Sequence, residues 1–146
     1  MKPRVLLVLV AGLLVAADAK DDAKKELERL QGDWVMVSTE RNGEAIPDEQ
    51  IKAVKRTIKD DAFTVTRDGE TLAKGKFTID PSKSPKTIDV TWTEGDNKDK
   101  TIKGIYEIDG DNQKICYAAL GKDRPKEFSS KGEEGITFSV WKRVKK

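Results

Sequence analysis

Few side chains in this sequence are equipped for chemistry, and the missing ones are informative. The 146 residues include no histidine, so the usual general base, the commonest metal ligand and the ordinary pH switch are absent together. Catalysis would fall to Asp/Glu pairs, to lysine or to Cys116, the one cysteine. There is no Ser or Cys nucleophile motif and no phosphate-cradling glycine loop, which argues against an enzyme. Two acidic turns, Asp96-Asn97-Lys98-Asp99 and Asp109-Gly110-Asp111-Asn112, present oxygen ligands. Neither has the twelve-residue calcium-loop spacing with its terminal Glu, so turn formation explains them, and no metal or other cofactor is expected. Recognition chemistry remains. Phe77, Trp92, Tyr106, Tyr117 and Phe138 offer large apolar faces, and Arg124 carries a planar fork suited to a carboxylate or phosphate.

The elements that would position these residues follow from periodicity. Lys2 and Arg4 precede an apolar run from Val5 to Ala16 and a small-x-small pattern at Ala17-Asp18-Ala19, the marks of a secretory signal peptide over 1–19. The run falls short of the roughly 20 residues of a membrane span. An exported protein, periplasmic or extracellular and with no stable membrane span after cleavage, is therefore expected. Residues 20–146 make a single domain large enough for its own core. Its charges are close to balance, with 28 Lys and Arg against 26 Asp and Glu in the whole chain, which argues against nucleic acid as a partner. The basic tail Lys142-Arg143-Val144-Lys145-Lys146 reads as a solvated terminus.

Ala23, Leu27 and Leu30 lie on one face of a short helix over 20–30 that Gly32 ends. From Trp34 the period becomes two. Strands are expected over 34–40, 54–59, 62–67, 71–80, 86–93, 101–108, 113–118 and 136–143, with a single helical turn from Pro47-Asp48 to Ile51. Asn42-Gly43, Asp68-Gly69 and Asp109-Gly110-Asp111-Asn112 are hairpin signals. Eight consecutive strands joined mostly by tight turns predict an all-β, antiparallel up-and-down barrel, because closure removes both sheet edges.

The expected inward set is Trp34, Met36, Ile58, Phe63, Val65, Ala73, Gly75, Phe77, Ile79, Ile88, Val90, Trp92, Ile102, Gly104, Tyr106, Ile108, Ile115, Tyr117, Ile136, Phe138 and Val140. Cys116 falls on the opposite face as a small structural residue, though bulges can reverse such assignments. A barrel of this size either fills with side chains or holds one small ligand. Ala73, Gly75 and Gly104 would open a pocket among the aromatics, or the glycines would relieve curvature. The segment 44–53 reads as a lid or as a packed connection, and the long loop 119–135 as anchored by Phe128, with Arg124 at the rim or paired with a local acid.

A short helix followed by Gly32-x-Trp34 on the first of eight strands resembles the opening of a lipocalin. That resemblance implies that Trp34 closes one end of the barrel, with Arg143 packed across it after the last strand. The Thr-Asp-Tyr triplet of many lipocalins and their paired cysteines are absent. A narrower likeness, to small exported lipocalin-like bacterial domains of unassigned activity common in planctomycetes, rests on several stretches. They are Leu30-Gln31-Gly32-x-Trp34, Pro47-Asp48, Gly104-Ile105-Tyr106-Glu107-Ile108-Asp109-Gly110-Asp111, Cys116 and Arg124-Pro125-x-x-Phe128-Ser129. It spans nearly all of 27–143 and implies the fold more than any ligand. Two functions stay open: binding of a small apolar or amphipathic molecule, or a filled barrel contacting an envelope protein. A cavity of a few hundred Å³ open at one end would separate them.

Overall fold

The computed structural model describes residues 21–132 and 134–145; the signal-peptide reading of 1–19 lies outside them. Within this range a helix, α1, covers 21–30. Nine strands follow: β1 (Gly32–Arg41), β2 (Glu44–Ala45), β3 (Val54–Lys59), β4 (Ala62–Arg67), β5 (Glu70–Asp80), β6 (Lys86–Trp92), β7 (Thr101–Asp109), β8 (Asn112–Tyr117) and β9 (Thr137–Arg143), with a one-turn helix α2 (Asp48–Ile51) after β2. All pairings are antiparallel between neighbours, and β1 also pairs with β9 from Trp34↔Arg143 to Arg41↔Thr137. The sheet is thus a closed eight-stranded up-and-down barrel, with β2 added beside the upper end of β1. Among the described residues no helix is long and apolar enough to cross a membrane.

Local chemistry accounts for the register. In the β4–β5 hairpin, Asp68 (φ 52°) and Gly69 (φ 81°) both take the left-handed conformation that a tight two-residue turn requires. Two irregularities bend the wall, one between Met36 and Ser38 on β1 and one at Val65/Thr66 opposite β5. The first changes which side chains of β1 face inward: Trp34 and Met36 belong to the interior below it, Thr39 and Arg41 above it.

The interior core comprises Leu30, Trp34, Val54, Ile58, Phe77, Ile88, Val90, Tyr106, Ile115 and Trp141. A second cluster lies outside the wall, where Ile105, Cys116, Ile136, Phe128 and Phe138 pack beneath the loop 119–136. This corrects the inward set on the last strand. Thr137, Ser139 and Trp141 face the interior, whereas Ile136, Phe138 and Val140 alternate onto the outer side, Ile136 and Phe138 under the loop, with the Phe138 ring 6.2 Å from that of Phe128. Both faces of β9 carry apolar residues because both are covered, so alternation alone does not reveal the inner one.

Candidate functional site: a barrel cavity with a sealed floor and an open mouth

The floor is built by α1. Trp34 is fully buried and donates its indole N–H to the Leu30 carbonyl (2.9 Å), which ties the first strand to the end of the helix. The Arg143 guanidinium lies 4.4 Å from the Trp34 ring, donates to the backbone carbonyls of Arg29 and Gln31, and pairs with Asp111 at 3.3 Å. Gly32 brings the chain past this guanidinium at φ +111°. Gln31 clamps the β3–β4 turn, donating to Asp60 O (2.9 Å) and accepting from Asp60 N (2.6 Å). Glu26 is 3% exposed and meets Lys86 at 2.5 Å and the Tyr106 hydroxyl at 3.0 Å. Burial and the Glu26 charge together push the Tyr106 phenol far above its usual range. Tyr106 is therefore part of the floor, and the cavity begins above it.

Above the floor the barrel is hollow. A cavity of about 650 Å³ runs from Leu30 and Ile58 upward past Phe77, Trp92 and Tyr117. Its mouth is bordered by Ile46 and Gln50 of the 44–53 segment, Leu72, Asn97 and Leu120. Leu72 and Leu120 are 46% and 44% exposed, apolar side chains standing at an opening. Ile51 is buried, so α2 is a packed connection whose neighbours Ile46 and Gln50 touch the cavity.

The small residues divide. Ala73 lines the cavity, but Gly75 and Gly104 serve close packing. A Cβ on Gly75 would stand 2.8 Å from the Phe63 ring, and one on Gly104 would stand 2.7 Å from the Tyr117 ring. Each glycine lets an aromatic on the neighbouring strand lie across the backbone.

Of the six residues read as ligand contacts, Phe77, Trp92 and Tyr117 line the cavity together, Tyr106 is in the floor, and two are outside. Phe138 is under the outer loop. Arg124 is bound to the outer wall, donating to Ile88 O (3.1 Å) and Gly104 O (2.8 Å) and pairing with Asp89 at 2.7 Å. Its donors tie the loop to β6 and β7, and it takes no part in the cavity lining. Cys116 is buried beneath the same loop with its Sγ 3.6 Å from Ser129 O, and burial pushes the thiol up.

Sequence reasoning passes over the most unusual group in the cavity wall. Arg56 is 6% exposed and lies between two indoles, 4.3 Å from the Trp141 ring and 5.6 Å from that of Trp34. It donates to Gln113 Oε1, itself 1% exposed. With Arg143 on the other contact of Trp34, the order Arg143, Trp34, Arg56, Trp141 makes a stack of alternating cations and rings. Desolvation lowers the Arg56 pKa to about 10. The signal is present in the sequence: Val54, Arg56 and Ile58 share one face of a period-two strand, as do Gln113, Ile115 and Tyr117.

No protein-family model matches the chain, and neither does any curated protein or solved structure.

Proposed function

We propose that this protein is an exported binding domain that takes a small apolar or amphipathic molecule into its barrel through the wide end. The observation that carries this reading is the cavity of about 650 Å³, a volume within the range of about 300–1,000 Å³ typical of small-molecule sites. Its lining is mostly aliphatic and aromatic, and exposed Leu72 and Leu120 flank the entrance. Exposed apolar surface continuous with an apolar hollow is one mark of a ligand-binding groove. Export rests on the signal-peptide pattern of 1–19, and kinship with the small lipocalin-like bacterial domains rests on the motifs from Gly32-x-Trp34 to Arg124-Pro125. Binding, rather than catalysis, suits a chain without histidine or a nucleophile motif.

The test is titration with the neutral dye Nile red, followed by dye emission and by quenching of Trp92 and Trp141, which border the cavity. Saturable binding is expected, with loss of at least tenfold in affinity in Ala73→Phe, a substitution that fills the cavity from one wall. Native mass spectrometry of protein from its own source should show a retained small molecule. Absence of both dye binding and any retained molecule would sink the proposal in favour of a barrel that acts through its outer surface on an envelope protein.

A further inference from the structure

Resting on the cavity-binding reading, we propose that the molecule taken up is a single-chain amphiphile with a carboxylate head, and that it binds head-inward, with the carboxylate on Arg56. Two observations carry this. The first is the charge of the cavity wall. Among the described residues that line it, the ionised side chains are Arg41, Arg56 and Arg67, and no Asp or Glu is present. The chain as a whole is nearly neutral, with 28 cationic and 26 anionic residues, so a wall bearing only cations is a local arrangement.

The second is the unused donors at the deep end. A guanidinium has five N–H groups and no acceptor. Gln113 Oε1 is the acceptor Arg56 has among the described residues, and its buried Nε has none. The indole N–H of Trp141, against which Arg56 is stacked, is likewise buried without a partner. Burying a cation without a counter-charge is costly, and indole faces offset only part of that cost. A carboxylate supplies the missing charge and two acceptor oxygens in the geometry a guanidinium fork recognises. Its hydrocarbon chain would run up past Phe77, Val90 and Ala73 to the apolar rim, and Arg41 and Arg67 near the mouth would draw the anion in. A head at the mouth would leave Arg56 as it stands, buried and unneutralised.

The experiment compares dodecanoate, 1-dodecanol and dodecylamine on the full mature protein by calorimetry and tryptophan quenching. Dodecanoate should bind about ten- to a hundredfold tighter than dodecanol, the size of one or two charge-assisted hydrogen bonds, and dodecylamine weakest. Arg56→Met should bring dodecanoate to the level of dodecanol, leave dodecanol within about threefold, and melt no lower than wild type, because an apolar replacement of a buried charge is commonly neutral or stabilising. In wild type, dodecanoate labelled with ¹³C at the carboxyl should hold its bound signal at the ionised position on acidification below the ordinary carboxylate range. This readout stands even if Arg56→Met fails to fold. Equal affinities for dodecanoate and dodecanol, or a bound carboxyl that titrates like the free acid, would overturn the head-inward proposal and leave the cavity reading intact. Binding of none of the three would overturn the cavity reading itself.

Discussion

The two ends of the barrel treat polar groups in opposite ways. At the closed end the polar side chains are tied to the protein: Glu26 to Lys86 and Tyr106, Trp34 to Leu30, Gln31 to Asp60, Arg143 to two backbone carbonyls and Asp111. In the cavity above, Arg56 and Trp141 keep buried donors without partners among the described residues, and the rim exposes Leu72 and Leu120. A satisfied network holds one arrangement rigidly, whereas unsatisfied donors and bare apolar surface are features that a bound molecule would complete. The floor therefore holds the barrel, and under the proposed function recognition falls to the cavity, within one continuous wall.

The contrast can be broken most sharply at Trp34. Trp34→Ala removes a fully buried ring and should lower stability by about 3–5 kcal/mol in denaturant melts. A negligible loss would mean that the floor does not hold the barrel closed. Next in size, Glu26→Gln leaves Lys86 without its anion and weakens the bond from Tyr106, for an expected loss of about 1–3 kcal/mol by the same measurement.

The two tyrosines report on the two ends separately in alkali. Burial raises Tyr117 in the cavity wall to about 12, with the Arg56 charge pulling the other way, while Tyr106 in the floor is raised further by burial and by Glu26. Both folded values exceed the unfolded value of about 10, so the folded state binds more protons above that pH. Their contribution to stability is present below about pH 10 and is lost as pH rises through the folded values. Ultraviolet titration should show no phenolate near pH 10, the ordinary tyrosine value. The first phenolate should be that of Tyr117, and Tyr106 should ionise only with unfolding. Ionisation of Tyr106 first would reverse the proposed order of the two ends.

The smallest effect on stability is expected at the rim. Leu72→Gln and Leu120→Gln should change stability by no more than about 0.5 kcal/mol, since both side chains are largely exposed. The same pair should slow and weaken uptake of Nile red. A large change in melting with unaltered dye binding would show that the rim serves the fold and not entry.

Much of this architecture is legible in the sequence. The expected strands over 54–59 and 62–67 coincide with β3 and β4, and the remaining boundaries differ from those observed by at most two residues. Asp68-Gly69 specifies its hairpin through the positive φ its two residues tolerate, and Trp34 lies across from Arg143 as the resemblance to a lipocalin implies. The strands and the hairpin depend on near neighbours along the chain, which is why composition and period suffice for them.

The site depends on what comes together across strands. Phe138 reads as inward because it and Val140 make the more apolar face of their strand, opposite Thr137 and Ser139, and only the position of the loop 119–136 shows that this face is the barrel's outside. Gly75 and Gly104 read either as openings into a pocket or as relief of curvature, and the rings of Phe63 and Tyr117 occupy the space above them from adjacent strands. Arg124 reads as a rim group or as the partner of a nearby acid, and the acid is Asp89 on β6, with two carbonyls on β6 and β7 beside it. Arg56 is one of 28 cationic residues, and only its parity with Val54 and Ile58 sets it apart in the sequence. A single sequence specifies which residues alternate; it cannot specify which side of a curved, bulged wall is enclosed, because enclosure exists only once β1 pairs with β9.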